Sequence, residues 1–331
     1  MNHRPSGLPS PKTGVEGFLY YKIAEGLSHT TLVNYQYKLE LWISRLGDAK
    51  LEEVTSSSLA RHMAWLRTEY VPIRKNGDKS PLSGKTLRNH WVTLKSFFAW
   101  LDLEFDAPNP MTKIPPPKFT SPEVNPLTKE EIARLAGACN FTREASTSRR
   151  RPFVIRRTTA RRDLAIVMTL LDTGLRAGEF CSLNIGDLDM KTGRLEVKHG
   201  PVGGAKGGKG RVVFIGRKVR RLIWRYLIER TEKDDNLAPL FVTNRSARMT
   251  PNSLLHLVKS LSKKSGVEKC YPHRFRHTFA ITYLRAGGDL LTLQALLGHQ
   301  SLEMVRRYAR IAEIDLARAH RQASPVDNMG L

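Results

Sequence analysis

Acidic residues are scarce in this chain. Only 31 Asp and Glu stand against 54 Lys and Arg in 331 residues, a formal charge of +23. In a folded chain that imbalance favours nucleic acid as the partner over a membrane surface. Cysteine is scarcer still. Cys139, Cys181 and Cys270 are far apart and form no CxxC or zinc-binding pattern, which excludes a disulfide framework and points to core filling in a reducing compartment. Long apolar runs are missing too: nothing approaches the roughly 18 residues of a membrane span. The opening "MNHRPSGLPSPKTG" lacks the apolar centre of a signal peptide, so the expectation is a cytoplasmic protein with no membrane partner.

What is present suits about two globular domains, at roughly 150 residues each. Hydrophobic content is 40%, ordinary for chains with their own cores. Residues 1–13, rich in Pro and Ser, read as a flexible arm. Residues 14–106 carry four helical patterns, with Gly47 closing the second, the third starting near Thr55 and Ser83 a candidate N-cap of the fourth. Most aromatics among them read as core. The prolines of 107–126 remove hydrogen-bond donors and fix an extended path, so this stretch reads as a linker.

A second domain, 127–315, opens on Thr128 and Glu131 at capping-box spacing, with 316–331 as a tail. Residues 141–162 hold eight arginines and one acidic residue and read as an inserted basic loop. Arg149, Arg150, Arg151, Arg156 and Arg157 are its candidate phosphate contacts, the alternative being a solvated loop. Residues 193–216 read as short strands around a glycine-rich turn, and the remainder as helices. The fold class expected is mostly α with a small β-sheet: a helical N-terminal domain followed by an α+β domain.

The glycine-rich turn has Walker-like spacing, but Gly210 stands where Ser or Thr should hold magnesium, and a strand follows where a P-loop needs a helix. A nucleotide-binding reading therefore fails. More telling is "YPHRFRHTFA" at 271–280. Pro272 suits a first helical position, and His273, Arg276 and His277 then share one face at i, i+3 and i+4. A helix N-terminus repels cations and attracts anions, so the cluster reads as half of an anion site. "TGLRAGEF" sets Arg176 at a helix start with Glu179 three residues on, and "LLGHQSLEMVRRYAR" adds His299 and Tyr308. Taken singly, these are an ordinary helix pair, a turn histidine and a core tyrosine.

Together "TGLRAGE", "KGGKGRVV", "HRFRHTFA" and "LLGHQSLEMVRRYA" resemble the tyrosine recombinase/integrase family, the phage integrases and Xer-like site-specific recombinases, in order and approximate spacing. The resemblance covers about 126–315; residues 14–106 resemble the family's SAM-like core-binding domain by position only. The arginine-rich insertion and the long "GPVGGA" before Lys206 depart from the family pattern. The resemblance implies that Arg176, Lys206, His273, Arg276 and His299 surround a DNA phosphate and that Tyr308 attacks it. Glu179 would be the acidic helper and His277 a hydrogen-bonded support.

The chemistry agrees with that mapping. Forked, permanently charged guanidiniums match a phosphate under attack, and fixed donors of this kind need no metal or other cofactor. His273 can take the phenolic proton and a lysine can protonate the leaving 5′ oxygen. The expected function is a site-specific DNA recombinase working through a 3′-phosphotyrosyl intermediate, acting on double-stranded DNA sites at the nucleoid. By the resemblance, it would be a monomer or weak dimer alone and a homotetramer on two duplexes. Its basicity and insertion favour a mobile-element integrase or transposase. A Xer-like resolvase, a type IB topoisomerase and a non-catalytic DNA-binding regulator on the same fold are the alternatives.

Overall fold

A computed structural model describes the chain except for residues 1–6, 75–76, 121–124, 142–144, 148–149, 154–156, 199–209, 300–304, 307, 310–319, 321–323 and 330–331. It divides into two compact units, Met1–Pro122 and Glu123–Leu331. Among the described residues, no helix is long and apolar enough to cross a membrane.

The first unit is built on helices α1 (Pro11–Ala24), α2 (His29–Leu46), α3 (Ser56–Thr68) and α4 (Gly84–Phe105). Each starts where a hydroxyl can satisfy a free backbone N–H: Ser10, Ser28, Thr55 and Ser83 all cap the third residue that follows. The helices bury an aromatic cluster in which Phe18, Trp42, Phe97, Phe98 and Trp100 meet with ring centroids 5.3–6.1 Å apart. Leu39, Leu59 and Leu94 fill the space around it.

Two boundaries differ from the sequence reading. The expected arm is already folded by its tenth residue: Ser10 caps α1, and the Leu8 amide donates to Glu52 Oε1 at 2.9 Å. The expected linker is fastened over its first half. Met111 is buried against α3 and α4, and the Trp91 indole donates to the Ile114 carbonyl at 3.0 Å. Prolines exclude an α-helix from this stretch, which makes only a short 3-10 turn at Pro110–Lys113, and they leave its carbonyls and apolar side chains free to pack.

The second unit places α6 (Ala160–Thr173) at its centre, where Ala165, Ile166, Val167 and Leu170 are all buried. Helices α5 (Lys129–Asn140), α8 (Arg217–Leu227) and α10 (Pro272–Arg285) pack on it, and α9 (Pro251–Ser265) packs on α5. The Thr128–Glu131 capping box is present, as is the Thr250 cap with Pro251 at the first helical position of α9. Helices α7 (Ala177–Ser182) and α11 (Leu290–Leu297) are short, and α12 (Pro325–Met329) lies in the tail. Residues 310–319, which lead into the tail, lie outside the described residues.

The basic stretch 141–162 is not a loop throughout. Its backbone pairs β1 (Ala145–Thr147) antiparallel with β2 (Arg150–Phe153), and its last residues already belong to α6. A second antiparallel pair, β3 (Arg194–Val197) and β4 (Arg211–Phe214), runs in the register Val197 to Arg211 and turns Leu195, Val197 and Val213 into the core. The glycine-rich turn joining them is residues 199–209, outside the described residues.

Candidate active site

Four chain segments converge on the N-terminal end of α10. The first is the turn after α6. Gly174 ends that helix at φ +60°, where an added Cβ would lie 2.5 Å from Phe279 of α10, so the position requires glycine. The tight turn sets Arg176 as the N-cap of α7, and Glu179 folds back to accept its amide at 2.9 Å and its Nη1 at 2.8 Å. The Arg176 side chain keeps 30% of its surface exposed. Its Nη2 donates to the Gly298 carbonyl at 3.2 Å, reaching the turn after α11.

Arg276, one turn into α10, is 1% exposed. It donates from Nη1 to the Gly174 carbonyl at 2.9 Å and from Nη2 to the Leu297 carbonyl at 2.8 Å. Both are carbonyls at helix C-terminal ends, which carry partial negative charge and welcome a cation. The same Nη2 lies 2.8 Å from His299 Nε2. Burial, then the neighbouring Arg176, lowers the Arg276 pKa to about 10, still far above neutral, so the guanidinium stays charged.

His299 is 7% exposed, and burial followed by Arg276, Arg176 and Arg211 lowers its pKa to about 4. The imidazole is therefore neutral at physiological pH. Because Arg276 can only donate, Nε2 accepts and the ring proton is assigned to Nδ1. That Nδ1 is buried with no partner among the described residues, a donor held ready.

Tyr308 is 5% exposed and packs with Val305, Leu293 and Leu297. Its hydroxyl lies 2.8 Å from His277 Nδ1, and its ring stacks on His299 at 6.2 Å and 12°. His273 completes the row, its ring edge-on to His277 at 4.3 Å. The helical spacing read from "HRFRH" thus puts all three α10 side chains on this face, with His277 on the tyrosine hydroxyl.

One participant was missed in the sequence. Arg211, the first residue of β4, donates to both Glu179 oxygens at 2.9 and 2.7 Å and from Nε to the Leu296 carbonyl at 2.7 Å. Burial pushes the Glu179 carboxyl up, but hydrogen bonds and charge from Arg211 and Arg176 outweigh it and lower the pKa to about 2. The only signal in the sequence is an arginine heading the apolar run "RVVF".

Other expected residues fall elsewhere. Lys206, Arg149 and Arg156 lie outside the described residues, while Arg150 and Arg151 are placed on β2 by backbone alone. Arg157 does not face outward: it pairs with the buried Asp163 at 2.7 Å and donates to the Ala138 and Cys139 carbonyls at the end of α5. A buried carboxylate at the head of α6 demands a cation, and Arg157 supplies it, which removes it from the phosphate contacts expected of it. The three cysteines are buried free thiols.

Residues 126–314 match the Phage integrase family, and residues 15–104 match the Phage integrase, N-terminal SAM-like domain. The chain belongs to the phage integrase family. It is a site-specific tyrosine recombinase, an enzyme that cleaves and rejoins DNA. Among similar curated proteins are tyrosine recombinase XerC of Thermodesulfovibrio yellowstonii, 32% identical across 78% of this chain and 83% of its own. Tyrosine recombinase XerA of Pyrococcus furiosus is 30% identical, and the match covers 95% of both chains. Two DNA complexes share the fold. XerH recombinase bound to palindromic difH in a post-cleavage complex aligns with a TM-score of 0.69 at 19% identity, covering 99% of this chain and 100% of that one. The Tn1549 transposon integrase with a circular-intermediate DNA aligns at 0.68 and 20%, covering 89% and 94%.

Proposed function

We propose that this recombinase cleaves one DNA strand by attack of Tyr308 Oη on the scissile phosphorus. The P–O5′ bond breaks, leaving a 3′-phosphotyrosyl linkage, and a 5′ hydroxyl from a partner strand later reverses the step on a new strand. Arg176 and Arg276 carry the charge that builds on the nonbridging oxygens, joined by the Nδ1–H of His299. The phenolic proton goes to the His273–His277 pair, and Lys206 protonates the departing O5′. The observation that carries this reading is the chain of short contacts from Arg276 to His299 and from His277 to the Tyr308 hydroxyl, on a helix N-terminus.

The Met1–Pro122 unit is assigned the grip on the DNA flank, supported by its match to the SAM-like domain of the family. Double-stranded DNA as partner is supported by the charge of +23 and by DNA complexes of proteins with this fold. Four protomers on two duplexes follow from the need to exchange both strand pairs. A mobile-element integrase is supported by the arginine-rich β1–β2 insertion. Similarity to XerA and XerC favours a second reading, a chromosomal resolvase.

The test uses nicked suicide duplexes with randomised arms. Wild-type protein is expected to trap a subset as covalent adducts, while Tyr308→Phe binds the same duplexes and traps none. Adducts of normal yield in that variant would overturn the assignment. Sequencing the trapped arms then separates the two biological readings, since a resolvase selects its own chromosomal site and an integrase the ends of its element.

A further inference from the structure

We propose that Arg211 is a positioning residue for strand cleavage: through the Glu179 carboxylate it holds the Arg176 guanidinium, and through the Leu296 carbonyl it holds the turn that carries His299. The proposal rests on the phosphate-binding roles given above to Arg176 and His299.

Geometry separates Arg211 from the two arginines assigned to phosphate. Its fork meets Glu179 with both Nη atoms, at 2.9 and 2.7 Å, and its Nε is committed to Leu296 at 2.7 Å. Such a bidentate pairing fixes orientation as well as distance. All three of its guanidinium nitrogens are taken by protein acceptors, whereas Arg276 keeps a buried Nε without a partner among the described residues and Arg176 keeps 30% of its side chain exposed. Glu179 in turn shares each oxygen: Oε1 takes Arg211 and the Arg176 Nη1, Oε2 takes Arg211 and the Arg176 amide. Removing Arg211 leaves the buried carboxylate with Arg176 alone.

Charge gives the reason for a third arginine. Glu179 and Arg176 by themselves form a closed, neutral pair that offers a phosphate little attraction. With Arg211 satisfying the carboxylate, the group keeps a net positive charge, and the outer face of Arg176 can act on the substrate. The Arg211 guanidinium also packs on the His299 turn. Gly298 sits at φ +63°, and a Cβ there would lie 3.1 Å from Arg211 Nη1. Arg176 binds the carbonyl of that glycine. One side chain thus sets the spacing between the strand that follows the Lys206 turn, the Arg176 cap and His299.

The experiment compares wild type, Arg211→Gln, Arg211→Lys, Glu179→Gln and the Arg211→Gln/Glu179→Gln double variant on the nicked duplexes that wild type traps. Binding and single-turnover cleavage are each followed from acid to neutral pH. Arg211→Gln is expected to bind almost as wild type and cleave roughly 100-fold more slowly, the scale of a misplaced reacting group. Its Glu179 carboxyl, buried without its main cation, titrates at higher pH than before, so the rate falls further on acidification. The double variant should be no slower than the acid limit of Arg211→Gln and should lack that limb. Arg211→Lys restores one charge opposite Glu179 and should recover part of the rate and the wild-type profile, which also guards against a simple folding defect.

Cleavage by Arg211→Gln at the wild-type rate, or costs at Arg211 and Glu179 that multiply, would overturn the proposal. Loss of DNA binding with the wild-type pH profile would also overturn it, by making Arg211 a phosphate ligand. Arg176→Ala run in parallel keeps the two readings apart. If it cleaves normally, the phosphate site itself is misassigned; if it is inactive while Arg211→Gln is normal, only the positioning role fails.

Discussion

Individual charged residues in this recombinase divide by what they face. Arg176, with 30% of its side chain exposed, retains an outer surface, whereas Arg157 is turned inward to Asp163 and to the end of α5. Arg157→Ala is therefore expected to act on stability. Asp163 keeps Arg162 and Thr159 as partners, so the loss should be about 1–3 kcal/mol, the cost of a weakened buried polar network. Urea unfolding would read that loss, while the salt dependence of DNA binding should stay as in wild type; a flattened salt slope would return Arg157 to the DNA-binding surface. Nothing local distinguishes Arg157 from its neighbours in "RRRPFVIRR". Its partner lies in the next helix, and burial of that partner is a property of the fold.

At the scale of elements, the sequence is most readable where the physics is local. Ser83, Thr128 and Thr250 cap the helices that follow them because a hydroxyl reaches an amide three residues away whatever the rest of the chain does. The α10 face is equally readable, since helical spacing alone aligns His273, Arg276 and His277. Residues 107–114 are not: the burial of Met111 depends on α3 and α4 being in place. Residues 141–162 show both sides, an arginine-rich hairpin leading into buried ion pairs. Replacing Arg149, Arg150 and Arg151 with Gln is expected to weaken binding to specific and unrelated duplexes alike. The log–log salt slope should shrink by about 0.9 for each DNA phosphate that the variant no longer neutralises. Titrations at several salt concentrations check this, and an unchanged slope would make the hairpin a solvated or protein-binding element.

Across the molecule, acid is expected to weaken the first unit through its two buried histidines. His62 and His90 are buried there, and burial, then nearby charge from His90 and Arg45 on the one and Lys38 on the other, lowers each pKa to about 4. Both ring nitrogens of His62 are without a partner among the described residues. The folded state therefore prefers them neutral, while the unfolded chain takes protons near 6.5. Their stabilising effect is complete above that value and is lost as pH falls toward 4, each on the order of 3 kcal/mol at the acid end. Hydrogen exchange followed from neutral to mildly acid pH should show α3 and α4 losing protection as the pH falls. A His62→Gln/His90→Gln variant should show a smaller decline, and equal slopes in the two proteins would contradict the account.

Composition, helical periodicity and short motifs act over a few residues, so the family, the helices and the charged face of α10 were legible before any packing was considered. Tertiary structure decided which atoms meet. Arg211 reaches Glu179 across 32 positions of chain, and Arg176 reaches the Gly298 carbonyl across 122. The neutral state of His299 and the contact between His277 and the Tyr308 hydroxyl likewise arise only when distant segments pack together. Burial strengthens charge interactions and removes the water that would otherwise satisfy these groups. That desolvation is a property of the packed molecule, and no stretch of its sequence carries it.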